Sequence, residues 1–182
     1  MNGLNKEIEQ QLRNENADFV HFVDVSMLDI RQNRGFPYAL LIGIAINPHF
    51  IKTVHDSPDY VHTLSDEYAQ AEKRVGMIAD KLAGRLISKG YKALSQSDNA
   101  LITENTFDFA TKTSILPHKT IAVLSGTGYI GKNNLFITAE YGAAQCLGSV
   151  LTNAPLSIME REIKSSQCGN CNICSCLLYT SP

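Results

Sequence analysis

Four of the chain's five cysteines fall between Cys168 and Cys176. The stretch Cys168-Gly169-Asn170-Cys171-Asn172-Ile173-Cys174 spells C-x2-C-x2-C. Three thiolates on one tight turn can grip three irons of a cubane 4Fe-4S cluster, with the intervening amides donating hydrogen bonds to the sulfurs. Zinc sites usually pair two C-x2-C units some distance apart. A cluster of reduced thiols without metal is the third reading. The expected metal ligands are therefore Cys168, Cys171 and Cys174. A bacterial ferredoxin run would continue with C-x3-C-P, but Leu178 and Tyr179 stand at those places. Cys176 is oddly spaced, so a fourth ligand must come from elsewhere. Cys146 is a formal candidate, although its strand-like surroundings favour a buried structural thiol. From this departure we expect that the natural frame is lost near residue 175 and that a C-terminal portion is missing.

A second motif precedes the cysteines. Gly126-Thr127-Gly128-Tyr129-Ile130-Gly131-Lys132-Asn133 reads both as G-x-G-x-x-G and as G-x4-G-K. A phosphate-binding P-loop needs Ser or Thr where Asn133 stands, to hold magnesium. A dinucleotide loop should follow a strand and open a helix, whereas Asn133 to Thr138 is more strand than helix. A P-loop, a different cofactor loop and a glycine-rich connection without a ligand all remain open.

The elements that must position these motifs follow from periodicity. Leu4, Ile8 and Leu12 predict a helix over residues 3–14. Phe19 to Val25 reads as a strand, 34–37 as a turn, and the apolar run Tyr38 to Ile46 as a strand buried on both faces. Leu64, Tyr68, Ala71, Val75, Ile78, Leu82 and Leu86 predict a helix over 65–89, with a Thr63–Asp66 capping box and Gly90 at the C-terminal end. Tyr91 to Gln96 reads as a strand and 97–117 as a long loop. Residues 118–125 fit helix or strand. Leu135 to Thr138 and Gln145 to Thr152 read as strands, and 156–167 as a polar linker. Strands do not alternate regularly with helices, so the expected fold is α+β rather than a doubly wound parallel sheet.

The 182 residues suit one domain with a small appendage. Sixteen basic residues against eighteen acidic ones give no general attraction to nucleic acid or anionic lipid. No stretch reaches the ~18 apolar residues of a membrane span, and residues 1–12 carry no secretory signal. A cytoplasmic protein is expected, where thiols stay reduced.

Leu116-Pro117-His118-Lys119-Thr120-Ile121-Ala122, the glycine loop, Glu140-Tyr141-Gly142, Val150-Leu151-Thr152-Asn153-Ala154-Pro155-Leu156 and the cysteines follow in that order. This order resembles the epoxyqueuosine reductase family over residues 116–174, and the region around Arg34-Gly35-Phe36-Pro37-Tyr38 looks like its shorter members. The resemblance implies a cobalamin-binding domain of nitroreductase-like α+β fold over 1–156. The start of a 4Fe-4S ferredoxin-type segment would follow over 157–182. It implies electrons passing from an external ferredoxin or flavodoxin through clusters to cobalamin, with epoxyqueuosine in tRNA as substrate and no membrane partner. The cofactor carries the hard reduction and the protein positions it. Gly126, Gly128, Tyr129, Gly131, Lys132 and Asn133 would line the cofactor pocket, the glycines letting backbone approach a corrin closely. Lys132 and Asn133 would donate to corrin amides or phosphate. The family carries an acid in a V-D-T-like segment before the loop. Here Thr111-Lys112-Thr113-Ser114-Ile115-Leu116 has no carboxylate and Asp108 is out of register, which leaves His118 or Lys119 to supply a proton. A non-catalytic cobalamin or electron carrier is the alternative, and a P-loop nucleotide-binding protein a more distant one.

Overall fold

The computed structural model describes residues 3–174 apart from Phe109 and Lys112. A four-stranded antiparallel sheet forms the centre, in the order β1 (Phe19–Asp24), β2 (Tyr38–Ala45), β8 (Gln145–Thr152), β3 (Ala93–Ser95). The α+β architecture with a mainly antiparallel sheet is as expected. β2 is apolar throughout because both of its faces are covered. Leu40, Ile42 and Ile44 face the layer of α1 (Gly3–Asn14) and α4 (Glu67–Ser88). Ala39 and Leu41 face α6 (His118–Leu124) and the hairpin β6 (Gly128–Ile130)–β7 (Phe136–Thr138). Truncating a side chain as buried as Leu41 to alanine costs about 2–5 kcal/mol.

α4 shows the expected pattern, burying Ala71, Val75, Ile78, Leu82 and Leu86. Its start is corrected by two residues, from 65 to Glu67. Asp66, not Thr63, is the cap and accepts from the Ala69 N–H, and Leu64 lies outside the helix, 91% exposed. At the other end the Tyr91 N–H reaches the Leu86 carbonyl across Gly90, whose φ is +88°.

Two segments differ from expectation. Residues 97–117 are not one loop. Ser97 caps a short helix, α5 (Asp98–Thr103), by accepting from the Ala100 N–H, and a small hairpin follows, β4 (Phe107–Asp108) with β5 (Thr113–Ser114). α2 (Ile30–Asn33) and α3 (Pro48–His55) also form; the latter is started by an Asn47 cap and a proline in its first turn. The ends of the fold meet where Asn5 and Ser157 exchange two hydrogen bonds, side chain to backbone, of 2.9 and 3.0 Å. Beyond Ser157 the chain runs without regular elements to the cysteine turn. Among the described residues no helix is long and apolar enough to cross a membrane.

Candidate functional site

α6 begins at a proline, which leaves His118 and Lys119 on its first turn facing the start of β8. Between them, α4, α5 and the β4–β5 hairpin lies a cavity of about 930 Å³. That is near the upper end of the ~300–1,000 Å³ typical of small-molecule sites. His118, Lys119, Thr111, Thr113 and Ser114 line one side; Glu72, Asp98, Gln145 and Cys146 line another.

His118 is tied into the sheet. Its Nδ1 lies 2.8 Å from the Ser149 hydroxyl, which donates to Gln96 Oε1 at 2.7 Å, and Gln96 Nε2 donates to the Leu116 carbonyl at 2.8 Å. Burial pushes the imidazole down to about 4, partly opposed by the charge of Asp98. Burial, then the charge of Asp98, raises the Glu72 carboxyl. Burial likewise pushes the Cys146 thiol up to about 11. Cys146 is thus a buried, protonated thiol, as its strand position suggested. Gln145 donates both its N–H groups, to the Phe136 and Gly142 carbonyls, while its buried Oε1 has no partner among the described residues. The cavity's size fits a large ligand.

Of the three proton-donor candidates, His118 and Lys119 reach this cavity and Asp108 does not. The Asp108 carboxylate accepts from the Ala110 and Thr111 N–H groups, a local turn. The Lys119 ammonium donates to the Asn134 carbonyl at 2.8 Å.

The glycine loop is a hairpin. It follows a helix and leads into strands, the reverse of a P-loop or dinucleotide loop, so the nucleotide reading is corrected. Its glycines serve internal packing. A Cβ on Gly128 would run into the Ile137 carbonyl, and one on Gly131 into the Ile137 side chain. One on Gly126, at φ +67°, would meet Arg161. Gly126 borders a different, smaller cavity of about 300 Å³ with His21, Arg161 and Lys164; from this segment only Ile130 and Asn134 face the large one. Tyr129 lies in β6, and the Asn133 side chain accepts from the Leu135 N–H. The Lys132 ammonium donates to the Gly169 carbonyl, the Cys171 carbonyl and Asn172 Oδ1, at 2.8, 2.9 and 2.8 Å. Its three donors are spent on the cysteine turn, not on a corrin amide or a phosphate.

The cysteine turn is closed by the Cys171 N–H on the Cys168 carbonyl. Cys171 and Cys174 are exposed. The Ser166 hydroxyl, the Lys132 backbone N–H and the Lys132 charge lower the Cys168 thiol. As they stand, the three thiols are not gathered around one point: among the described residues no three His, Cys, Asp or Glu side chains are placed to hold a metal ion. Cys176 lies outside the described residues. Glu72, Gln96, Asp98, Gln145 and Ser149 were not singled out from sequence. A polar Ser149 inside the otherwise apolar stretch 146–151 was the one available signal.

This sheet and helix arrangement is shared with reductive dehalogenases and epoxyqueuosine reductases of known structure. A catabolic reductive dehalogenase, NpRdhA, superposes with a TM-score of 0.66 at 17% identity, over 86% of this chain and 22% of its own. A reductive dehalogenase described as B12-dependent gives 0.60 at 15%, over 88% and 21%. An epoxyqueuosine reductase solved with a modified tRNA stem loop gives 0.57 at 16%, over 96% and 50%. In sequence, the epoxyqueuosine reductase of Lactococcus garvieae is 28% identical over 89 residues, 49% of this chain and 25% of that protein. That of Listeria monocytogenes is 44% identical over 55 residues, 30% and 14%. No protein-family model matches. The resemblance seen in the motifs therefore holds. Curated proteins named epoxyqueuosine reductase are sequence relatives, and solved ones share the fold. The chain spans only part of each: a quarter or less of the curated relatives is matched, and half of the solved reductase.

Proposed function

We propose that this chain is a corrinoid-binding oxidoreductase domain of epoxyqueuosine-reductase type over residues 1–156. A ferredoxin-type cysteine segment follows it. The observation that carries the reading is the 930 Å³ cavity against α6. The motif order over 116–174 and the two named relatives support it. Gln145, Thr113, Ser114 and His118 would hold the corrinoid, which when bound supplies the low-potential electrons. The protein's own part is to exclude water, orient the ligand and hold protons. Cys168, Cys171 and Cys174 are proposed as ligands of a 4Fe-4S cluster on spacing alone; because the thiols are not gathered, no electron path is drawn through them. Within this reading an external ferredoxin or flavodoxin supplies electrons, and epoxyqueuosine in tRNA is the first substrate to try.

Titration of the purified chain with aquocobalamin, followed by visible spectra and equilibrium dialysis, tests the reading. Stoichiometric binding with a shifted spectrum is expected. Binding no tighter than to a control protein overturns it. Anaerobic iron and sulfide reconstitution tests the cysteines separately. Binding without turnover of the epoxide selects the carrier alternative.

A further inference from the structure

The hydrogen bonds behind His118 have a fixed direction. The Leu116 carbonyl can only accept, so the Gln96 amide must present its N–H₂ there and its oxygen to Ser149. The Ser149 hydroxyl has a single proton and gives it to that oxygen. Toward His118 it can then only accept, so the proton of the imidazole sits on Nδ1. The other nitrogen, Nε2, carries a lone pair. It has no partner among the described residues and belongs to a ring that lines the large cavity.

We propose that His118 is the hydrogen-bond acceptor of the cavity. Ser149 and Gln96 act as positioning residues that fix its tautomer, and the bound ligand presents an N–H or O–H group to Nε2. This inverts the role of proton donor that the sequence offered His118. The identity of the ligand rests on the corrinoid reading above; the direction of the hydrogen bonds does not. The titratable groups sharing the cavity are Tyr68 and Glu72 on α4, Asp98 on α5, Lys119 on α6, and Cys146 on β8. Of these, Asp98 acts on the His118 charge, opposing the effect of burial.

The test uses the full chain labelled with 15N and long-range proton–nitrogen spectra from about pH 5 to about pH 8, on either side of the ordinary histidine value. His118 is assigned by the loss of its signals in His118→Asn. A single Nδ1–H tautomer that does not protonate over this range is expected. Ser149→Ala should give mixed tautomers, and Ser149→Thr should restore one. An Nε2–H tautomer, or titration near the ordinary value, overturns the proposal in the unmodified chain, whatever the variants do. Diethyl pyrocarbonate, which acylates an unprotonated imidazole nitrogen, should label His118 at about pH 6; failure to label it means that Nε2 is not presented and also overturns the proposal. Aquocobalamin is then added as the probe. Protection from labelling supports both readings. Labelling that persists in a saturating excess, with the tautomer as stated, leaves the acceptor standing and removes the corrinoid from this cavity.

Discussion

His118 reaches its cavity through three buried hydrogen bonds anchored in the central sheet, whereas the cysteine turn hangs on one exposed ammonium, that of Lys132. The first arrangement has a single solution, because the Leu116 carbonyl, which can only accept, sets the direction of every bond from Gln96 to His118. A network satisfied in this way fixes geometry before any ligand arrives. The second holds the turn by backbone carbonyls and leaves the thiols free to re-aim. A metal cluster bound there would supply the order that the polypeptide lacks, since the energy of metal binding can be spent on folding its own site. One region is built and the other is docked, and chemistry that needs a fixed proton belongs to the built one.

Acid should strain the built region most. His118 and His21 are both held down to about 4, the former by burial and the latter by burial and then the nearby Arg161 cation. In the unfolded chain each takes up a proton near 6.5. Stability is therefore full above that value, falls as pH drops from 6.5 toward 4, and levels off below. Each contributes up to about 3 kcal/mol to the fall. Urea unfolding across this range checks it, and His118→Asn should flatten the slope; an unchanged slope would mean that His118 is not held neutral.

Severing the relay comes next. Ser149→Ala leaves the His118 N–H and Gln96 Oε1 without their partner, at a cost of about 2–3 kcal/mol, readable as a lowered urea midpoint. Ser149→Thr should recover much of it. A loss below about 0.5 kcal/mol would dissolve the contrast between the two regions.

Thiol alkylation compares them directly. Cys146, 6% exposed and pushed up by burial to about 11 from the ordinary thiol value of 9.0, carries about a hundredfold less thiolate than an ordinary cysteine. Iodoacetamide should modify exposed Cys171 and Cys174 at least about a hundredfold faster, followed by peptide mass spectrometry. Equal rates would show the wall around Cys146 to be open.

The smallest effect on stability should come from Lys132→Met. Releasing the turn costs less than about 1 kcal/mol globally, as for other exposed polar contacts. Proteolysis between 160 and 174 should nevertheless accelerate several-fold. A large drop in the unfolding midpoint would make the turn part of the core.

How much of this was legible depended on distance along the chain. α4 announced itself because its period-3.6 stripe is local, and only its first turn was misplaced, where exposed Leu64 happens to continue the spacing. β2 was legible as a strand covered on both faces because all of its residues are apolar. α3 and α5 were missed for want of buried residues, although Asn47-Pro48 and Ser97 carried the capping chemistry. The cysteines were legible by spacing; their docking on Lys132 was not, because it joins residues some forty positions apart. His118 was named as a candidate, but its direction as acceptor depended on Ser149 and Gln96, which the sheet brings together from distant segments.

The position of β8 bears on how the chain is made. β1 and β2 leave the ribosome together and can pair at once, but the other side of β2 waits for β8, encoded more than a hundred residues later. Until then a strand with no charged residue shows an open edge, the kind of surface on which nascent chains join one another. The clasp between Asn5 and Ser157 cannot close before that moment. Protection of the Ser157 amide from exchange would therefore mark the completed molecule, and molecules released before β8 is synthesised are the ones for which a cell would need chaperones.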